Sequence, residues 1–171
     1  SLGFDPNISV LFGNPMFLIN KFELLLLYMS YKGIYRPSNP KKYKGDSQNI
    51  IYRSLWERKF MNYCDLNENI LEWASEEFWI PYKDPTTNRV RRYFPDFFIK
   101  YKDKDSNIRR SVIEVKPMRE TKEPKATKGK SRKTLINESI TYAKNQAKWK
   151  AAREFCDDRK LEFKIMTEKE L

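Results

Sequence analysis

The sequence predicts a mixed α/β domain in which one mixed β-sheet is covered by helices. Three observations carry this. Residues 53–67, RSLWERKFMNYCDLN, place Trp56, Phe60, Tyr63 and Cys64 on one helical face behind a Ser54 N-cap. Residues 91–101 (RRYFPDFFIKY) and 108–117 (IRRSVIEVKP) are two strand-like runs joined by the polar loop KDKDSN. A second long helical segment, residues 134–158, then leads into the strand-like LEFKIM that begins residues 161–171. At 171 residues, this order of helix, strands, helix and strand fits one domain.

The remaining elements follow from local composition. Residues 30–50 hold Gly33, Pro37, Pro40, Gly45 and many cations, and read as an extended basic arm. ILEWASEEFWIPY (70–82) reads as one or two short strands and KDPTTNRV (83–90) as a turn. Residues 118–133 have no periodicity, much lysine and no aromatic residue, which predicts a mobile basic loop. In the following helix, Ile136, Ile140, Ala143, Ala147, Ala151 and Phe155 form the expected apolar stripe. Thr167 and Glu170 have the spacing of a capping box that starts a last helix. No internal repeat is present.

Residues 16–29 are the most apolar run, but Lys21 and Glu23 interrupt it before the length of about 18 residues that a membrane span needs. Residues 1–28 are expected to be an extension outside the functional domain, which then runs over residues 29–171 from Met29.

The net charge is +11, from 34 Lys and Arg against 23 Asp and Glu. Such a balance favours a polyanionic partner, and nucleic acid comes first; double-stranded DNA is the partner expected of this chain. The chain has no histidine, which excludes Ser-His-Asp hydrolysis and every other mechanism built on imidazole. The two cysteines, Cys64 and Cys156, cannot form a disulfide framework or a CxxC zinc site, and suit a reducing compartment. Chemistry is left to Asp, Glu, Lys and Tyr, and such oxygen-rich sites suit Mg²⁺ or Mn²⁺.

The stretch SVIEVKPM (111–118) carries that chemistry. Alternation along the strand puts Val112, Glu114 and Lys116 on one face, with the two charges roughly 7 Å apart, and Ile113 and Val115 on the other. A hairpin centred near Asp105 pairs positions whose numbers add to 210, which sets Asp96 opposite Glu114 at a Cβ separation of about 5 Å. Two carboxylates that close repel unless a cation sits between them. Lys116 then stands one step beyond the metal, where it polarises the attacking water or the scissile phosphate.

Glu57 is a third acid on a helix, but Ser54-Leu55-Trp56-Glu57 is also a capping box, and the two roles compete. NQAKWK (145–150) brings Asn145, Gln146 or Lys148 to the site, or only packs Trp149 into the core. Two groups of cations flank the carboxylates: Lys41, Lys42, Lys44, Arg53, Arg91 and Arg92 before them, and Lys122, Lys125, Lys128, Lys130, Arg132 and Lys133 after them. Tyr31, Tyr35 and Tyr43 interleave with the first group, and both groups are expected to hold DNA phosphates. Gly33-Ile34-Tyr35 matches half of the GIY-YIG nuclease signature, but no YIG follows, and that reading is set aside.

PDFFI…VIEVK with Glu57 upstream resembles the PD-(D/E)xK nuclease superfamily. The longer run of YKGIYRPSNPKKYKGD, YRSLWERKFMNYCDLN, WASEEFWIPY, RRYFPDFFIKY, IEVKP, KWKAAREFC and FKIMTEKEL, from about Met29 to the end, resembles the head completion proteins of T-even-type phages. TnsA-type transposon-end nucleases are a more distant likeness. The resemblance implies a restriction-endonuclease-like core, dependence on Mg²⁺ or Mn²⁺, and a role at the packaged DNA end in the host cytoplasm or virion, with portal or head proteins as partners. It carries over Asp96 and Glu114 as metal ligands, with the Val115 backbone carbonyl, Lys116 as the catalytic lysine and Glu57 as the helix-borne acid. The resulting expectation is a metal-dependent DNA endonuclease. A non-catalytic protein that binds the DNA end or portal, and a structure-selective or transposon-end nuclease, stay open as alternatives.

Overall fold

The computed structural model describes residues 31–167, 169 and 170. The expected extension over residues 1–28 and the natural start at Met29 lie outside the described residues.

Strands β1 (Gly33–Tyr35) and β2 (Ile50–Tyr52) form an antiparallel ribbon ahead of helix α1 (Leu55–Leu66). Then come β3 (Ile70–Ser75), β4 (Ile80–Lys83), β5 (Val90–Tyr93), β6 (Phe97–Lys102), β7 (Ile108–Val115), helix α2 (Arg132–Asp158) and β8 (Glu162–Met166). The main sheet has the order β3-β6-β7-β8, with β7 and β8 parallel and the other pairs antiparallel. A parallel pair needs a long crossover, and α2 supplies it. Strands β4 and β5 form a separate ribbon. Among the described residues, no helix is long and apolar enough to cross a membrane.

Alternation decides which side each strand residue takes. Phe97, Ile99 and Tyr101 of β6 and Ile113 and Val115 of β7 pack under α1 with Trp56, Phe60, Met61 and Cys64. A second apolar cluster lies against α2: Ile80, Tyr82, Tyr93 and Ala152, with Phe78, Ala147, Ala151, Phe155 and Phe163. Trp73 is fully buried, and the edges of Tyr35 and Tyr43 meet it at centroid distances of 5.9 and 4.7 Å.

Four expectations need correction. The predicted strand 91–101 is two strands, because Pro95 lacks an N–H and breaks the ladder. Its first half turns away to pair with β4 instead of joining the sheet. In helix α2 the stripe holds only in its second half, where Ala147, Ala151 and Phe155 pack against the second cluster, and the fully buried line runs beside it through Asn145, Trp149, Ala152 and Cys156. Ile136 and Ile140 are exposed, since the N-terminal half of the helix reaches beyond the layers that the other half covers. Thr167 and Glu170 do bond reciprocally, with the Thr167 N–H 2.7 Å from Glu170 Oε2, but they close a turn and no helix is formed among the described residues.

The arm is the fourth, since over its described residues 31–50 it is tied down rather than extended. Buried Asp65, at the end of α1, accepts the N–H groups of Ser38 and Asn39 at 2.7 and 2.9 Å and the Tyr35 hydroxyl at 3.3 Å. Removing that carboxylate strands two backbone donors. Asp65→Ala is therefore expected to cost about 3 kcal/mol. That is a fall of roughly 6–12 °C in thermal midpoint at this chain length, read by circular dichroism.

Candidate active site

The predicted register is present. Phe97 pairs with Ile113 and Phe98 with Val112, so Asp96, one step before β6, faces Glu114. Pro95 is buried and frees this residue from the strand, and Asp96 turns its carboxylate onto β7, where Oδ2 accepts the Val115 N–H at 2.7 Å. Its carbonyl accepts the Glu76 N–H at 3.3 Å, which ties it to the end of β3.

Glu114 is only 3% exposed, on the sheet face opposite α1. One oxygen, Oε2, accepts the Tyr93 hydroxyl at 2.6 Å, and Oε1 lies 3.0 Å from Lys116 Nζ. The Lys116 N–H extends the ladder to the Met166 carbonyl at 2.9 Å, so the lysine's backbone is fixed by β8. Burial first, and then the neighbouring Glu114 charge, push the Asp96 carboxyl well above the usual carboxylate range, against the pull of Lys116. Burial and Glu114 likewise raise the Tyr93 phenol.

Glu57 stands between its two expected roles. Its Oε2 accepts the Arg53 N–H at 2.8 Å and its Oε1 accepts the Ser54 hydroxyl at 3.2 Å, while Ser54 Oγ accepts the Glu57 N–H at 3.1 Å. The carboxylate is thus engaged at the start of α1, yet its charge reaches Asp96 and adds to the upward push there. Burial, with a contribution from Glu76, raises the Glu57 carboxyl itself. Glu76, paired with Arg53 Nη1, is an acid of this neighbourhood that the sequence pattern did not single out.

From α2, Lys148 lies over the rings of Tyr82 and Tyr93, at 5.8 and 5.7 Å from their centroids. Trp149 is buried beside it, so NQAKWK both packs the core and faces the site. Asn145 is buried, and its Nδ2 has no hydrogen-bond partner among the described residues.

Among the described residues, no group of three His, Cys, Asp or Glu side chains converges on one point. The site offers two opposed carboxylates, all-oxygen donors whose mutual repulsion a divalent cation relieves. That suits Mg²⁺, which takes one or two carboxylates and completes its shell with water and substrate oxygens.

The sequence model described as TnsA-like endonuclease N terminal matches residues 67–168, a stretch that contains Asp96, Glu114 and Lys116. The chain belongs to this family. A head completion nuclease of Enterobacteria phage T4 is 38% identical over 143 residues, covering 82% of this chain and 93% of that protein. The sheet and flanking helices are accordingly the restriction-endonuclease-like fold of the TnsA-like domain. Glu57 precedes the matched stretch.

The cations of this TnsA-like chain are placed unevenly. Lys42 Nζ donates to the carbonyls of Asp65 and Asn67, both at 2.8 Å, and so caps the end of α1. Arg53 pairs with Glu76, Lys44 lies 3.6 Å from Glu72, and Arg91 lies 3.0 Å from buried Asp84. Arg92 stacks 4.9 Å above the Trp79 ring. Lys130 bonds Glu138 at 2.8 Å and the Lys125 carbonyl at 3.0 Å, which ties the loop 118–133 to α2. Lys41, Lys122, Lys125, Lys128, Arg132 and Lys133 are exposed, and the last two stand in the first turn of α2 rather than in the loop.

Proposed function

We propose that the protein is a divalent-metal-dependent DNA endonuclease that acts in the completion of phage heads, at the end of the packaged DNA. The observation that carries this reading is Asp96, one step before β6, set against Glu114 of β7 with its carboxylate on the Val115 N–H, and the Lys116 ammonium 3.0 Å from Glu114. The family and the 38% identity to a head completion nuclease support it. Portal or head proteins are then its partners, and the host cytoplasm and the virion its place of action.

Asp96 and Glu114 would hold Mg²⁺ or Mn²⁺, with the Val115 backbone carbonyl as a further oxygen donor. When bound, the ion supplies Lewis-acid polarisation of the phosphoryl oxygens and a more acidic water. The buried Tyr93 hydroxyl fixes the direction of the Glu114 carboxylate. The Val115 N–H does the same for Asp96. Lys116 orients the attacking water and neutralises charge that develops on the phosphoryl oxygens. Glu57 acts through its charge at Asp96. The exposed cations, Lys41, Lys122, Lys125, Lys128, Arg132 and Lys133, hold flanking phosphates, and affinity falls as salt rises.

The test is nicking of supercoiled plasmid in Mg²⁺ against EDTA. Cleavage in Mg²⁺ alone supports the reading; full activity in EDTA defeats it. If Asp96→Asn left head assembly normal, a non-catalytic role at the DNA end or portal would replace it. Glu57 is separated from its cap role by comparing Glu57→Gln with Ser54→Ala. Ser54→Ala removes the cap and costs about 1 kcal/mol, whereas Glu57→Gln keeps the backbone donor to Ser54 Oγ and an acceptor oxygen of its own. Glu57→Gln is expected to slow nicking about tenfold or more, the equivalent of about 1.4 kcal/mol in the barrier. Ser54→Ala should lower the thermal midpoint and leave the rate within about threefold, a barrier change well under that of a tenfold loss.

A further inference from the structure

The nuclease reading leaves Lys148 unused. Lys148 is half-buried, and among the described residues no carboxylate or carbonyl lies within ion-pair or hydrogen-bond distance of its Nζ. Taking an ammonium out of water is costly unless something replaces the water. Here the faces of Tyr82 and Tyr93 do so in part, at 5.8 and 5.7 Å. A cation held this way keeps its hydrogen-bond donors unused.

Its position is built rather than incidental. Lys144, one turn earlier on α2, lies 3.7 Å from Asp84 Oδ2, and Asp84 is itself fixed by the Thr86 N–H and hydroxyl at 2.9 and 2.7 Å. Trp149 and Ala152 are packed in the interior at 1% and 0% exposure, so the helix cannot roll to carry Lys148 away. Tyr93, one of the two rings beneath Lys148, is the residue whose hydroxyl bonds Glu114 at 2.6 Å. The ammonium thus shares an aromatic partner with the metal-binding carboxylate. Burial lowers the Lys148 ammonium's pKa, while the charges of Glu114 and Asp96 raise it and that of Lys116 lowers it. All three site charges are therefore close enough to act on it.

We propose that Lys148 is a second lysine of the active site, contacting a non-bridging oxygen of the scissile phosphodiester from the α2 side of the sheet. This rests on the nuclease reading above. Once the two carboxylates are neutralised by a divalent cation, Lys116 and Lys148 leave the pocket positive, as an anionic phosphodiester requires. A compact ammonium on a packed helix is the fixed donor that favours a transition state gaining negative charge over a ground state. Lysine presents a compact point charge above the two tyrosine rings, where a guanidinium would present a planar fork.

The test compares full-length wild type, Lys148→Met and Lys148→Arg on supercoiled plasmid in Mg²⁺. Affinity for the same DNA in Ca²⁺, Mn²⁺ affinity and thermal midpoint are measured alongside. The expected result is a loss of about 10²-fold in nicking rate for Lys148→Met, with partial recovery in Lys148→Arg. Mn²⁺ affinity and thermal midpoint stay close to wild type. A wild-type rate in folded Lys148→Met overturns this inference and leaves the nuclease reading standing. A rate loss accompanied by equal loss of Mn²⁺ binding or of the folded state, without recovery in Lys148→Arg, also overturns it, since Lys148 is then a packing residue. Wild-type protein that fails to nick in Mg²⁺ overturns the nuclease reading, and this inference with it.

Discussion

Asp96→Asn is expected to abolish metal-dependent cleavage, by about a thousandfold or more, and at the same time to raise the thermal midpoint of the metal-free protein. The first effect follows from losing one of two anionic metal ligands, since metal assistance is worth several kcal/mol of transition-state stabilisation. The second follows from burial and from Glu114, which both disfavour the Asp96 charge in the folded chain. An asparagine keeps an oxygen for the Val115 N–H and removes the repulsion. Each pKa unit of upward shift corresponds to about 1.4 kcal/mol, or roughly 3–6 °C here.

The pH dependence gives the sign a second check. The folded Asp96 carboxyl binds its proton more tightly than the unfolded one, whose pKa is about 3.9. Its stabilising contribution is complete below that value and is lost as pH rises through the raised folded pKa. The advantage of Asp96→Asn over wild type should therefore be small near pH 4 and grow towards neutral pH. Thermal melts in EDTA across that range measure it. Mn²⁺ affinity of the wild type should rise over the same interval, because the ligand must lose its proton.

Lys116→Ala is expected to slow nicking by about 10²–10³-fold, the usual effect of removing one donor to a developing anion. DNA affinity in Ca²⁺ should change little, because the flanking cations remain. Stability should move opposite to Asp96→Asn. The Lys116 ammonium is the cation beside the buried Glu114 carboxylate, and its removal leaves the Tyr93 hydroxyl there. The cost is about 1–3 kcal/mol, below that of a fully buried pair because the Lys116 side chain is 20% exposed. Single-turnover nicking, DNA titration and melting of this one variant distinguish a lysine that acts on substrate from one that only neutralises Glu114. In the second case the rate loss would be recovered when the fold is stabilised by Mn²⁺.

The core of this site was readable because it is local. Alternation and a turn near Asp105 are enough to set Asp96 against Glu114, and the pairs Phe97–Ile113 and Phe98–Val112 keep that register. Ile113 and Val115 then had to face the core, as they do. What was not readable depends on distant packing. The pattern puts Tyr93 in the same strand as Asp96, and only the break at Pro95 and the pairing with β4 bring it over Glu114. The one advance signal was the proline itself. Asn145, Gln146 and Lys148 are equivalent by pattern alone, and burial of Trp149 and Ala152 fixes the roll of α2 that sets Lys148 over the Tyr93 ring.

The arm escaped for a different reason. Its order comes from backbone N–H groups of Ser38 and Asn39 meeting the buried Asp65 carboxylate, and such contacts leave no periodic trace. Cation counting likewise overstates the charge open to phosphates, since Lys42 caps α1 and Arg91 serves Asp84. Ile136 and Ile140 continue an apolar stripe for two turns past the end of what the helix covers. A sequence pattern gives the period of a face and not the extent of its neighbour.

The central claim is that Asp96 and Glu114 share one divalent cation. Crystals of the full chain soaked in Mn²⁺, with anomalous diffraction recorded at the manganese edge, test it most directly. The account predicts an anomalous peak between the two carboxylates in wild type and its loss in Asp96→Asn. A peak elsewhere, or none between them in protein that nicks DNA in Mn²⁺, would contradict it.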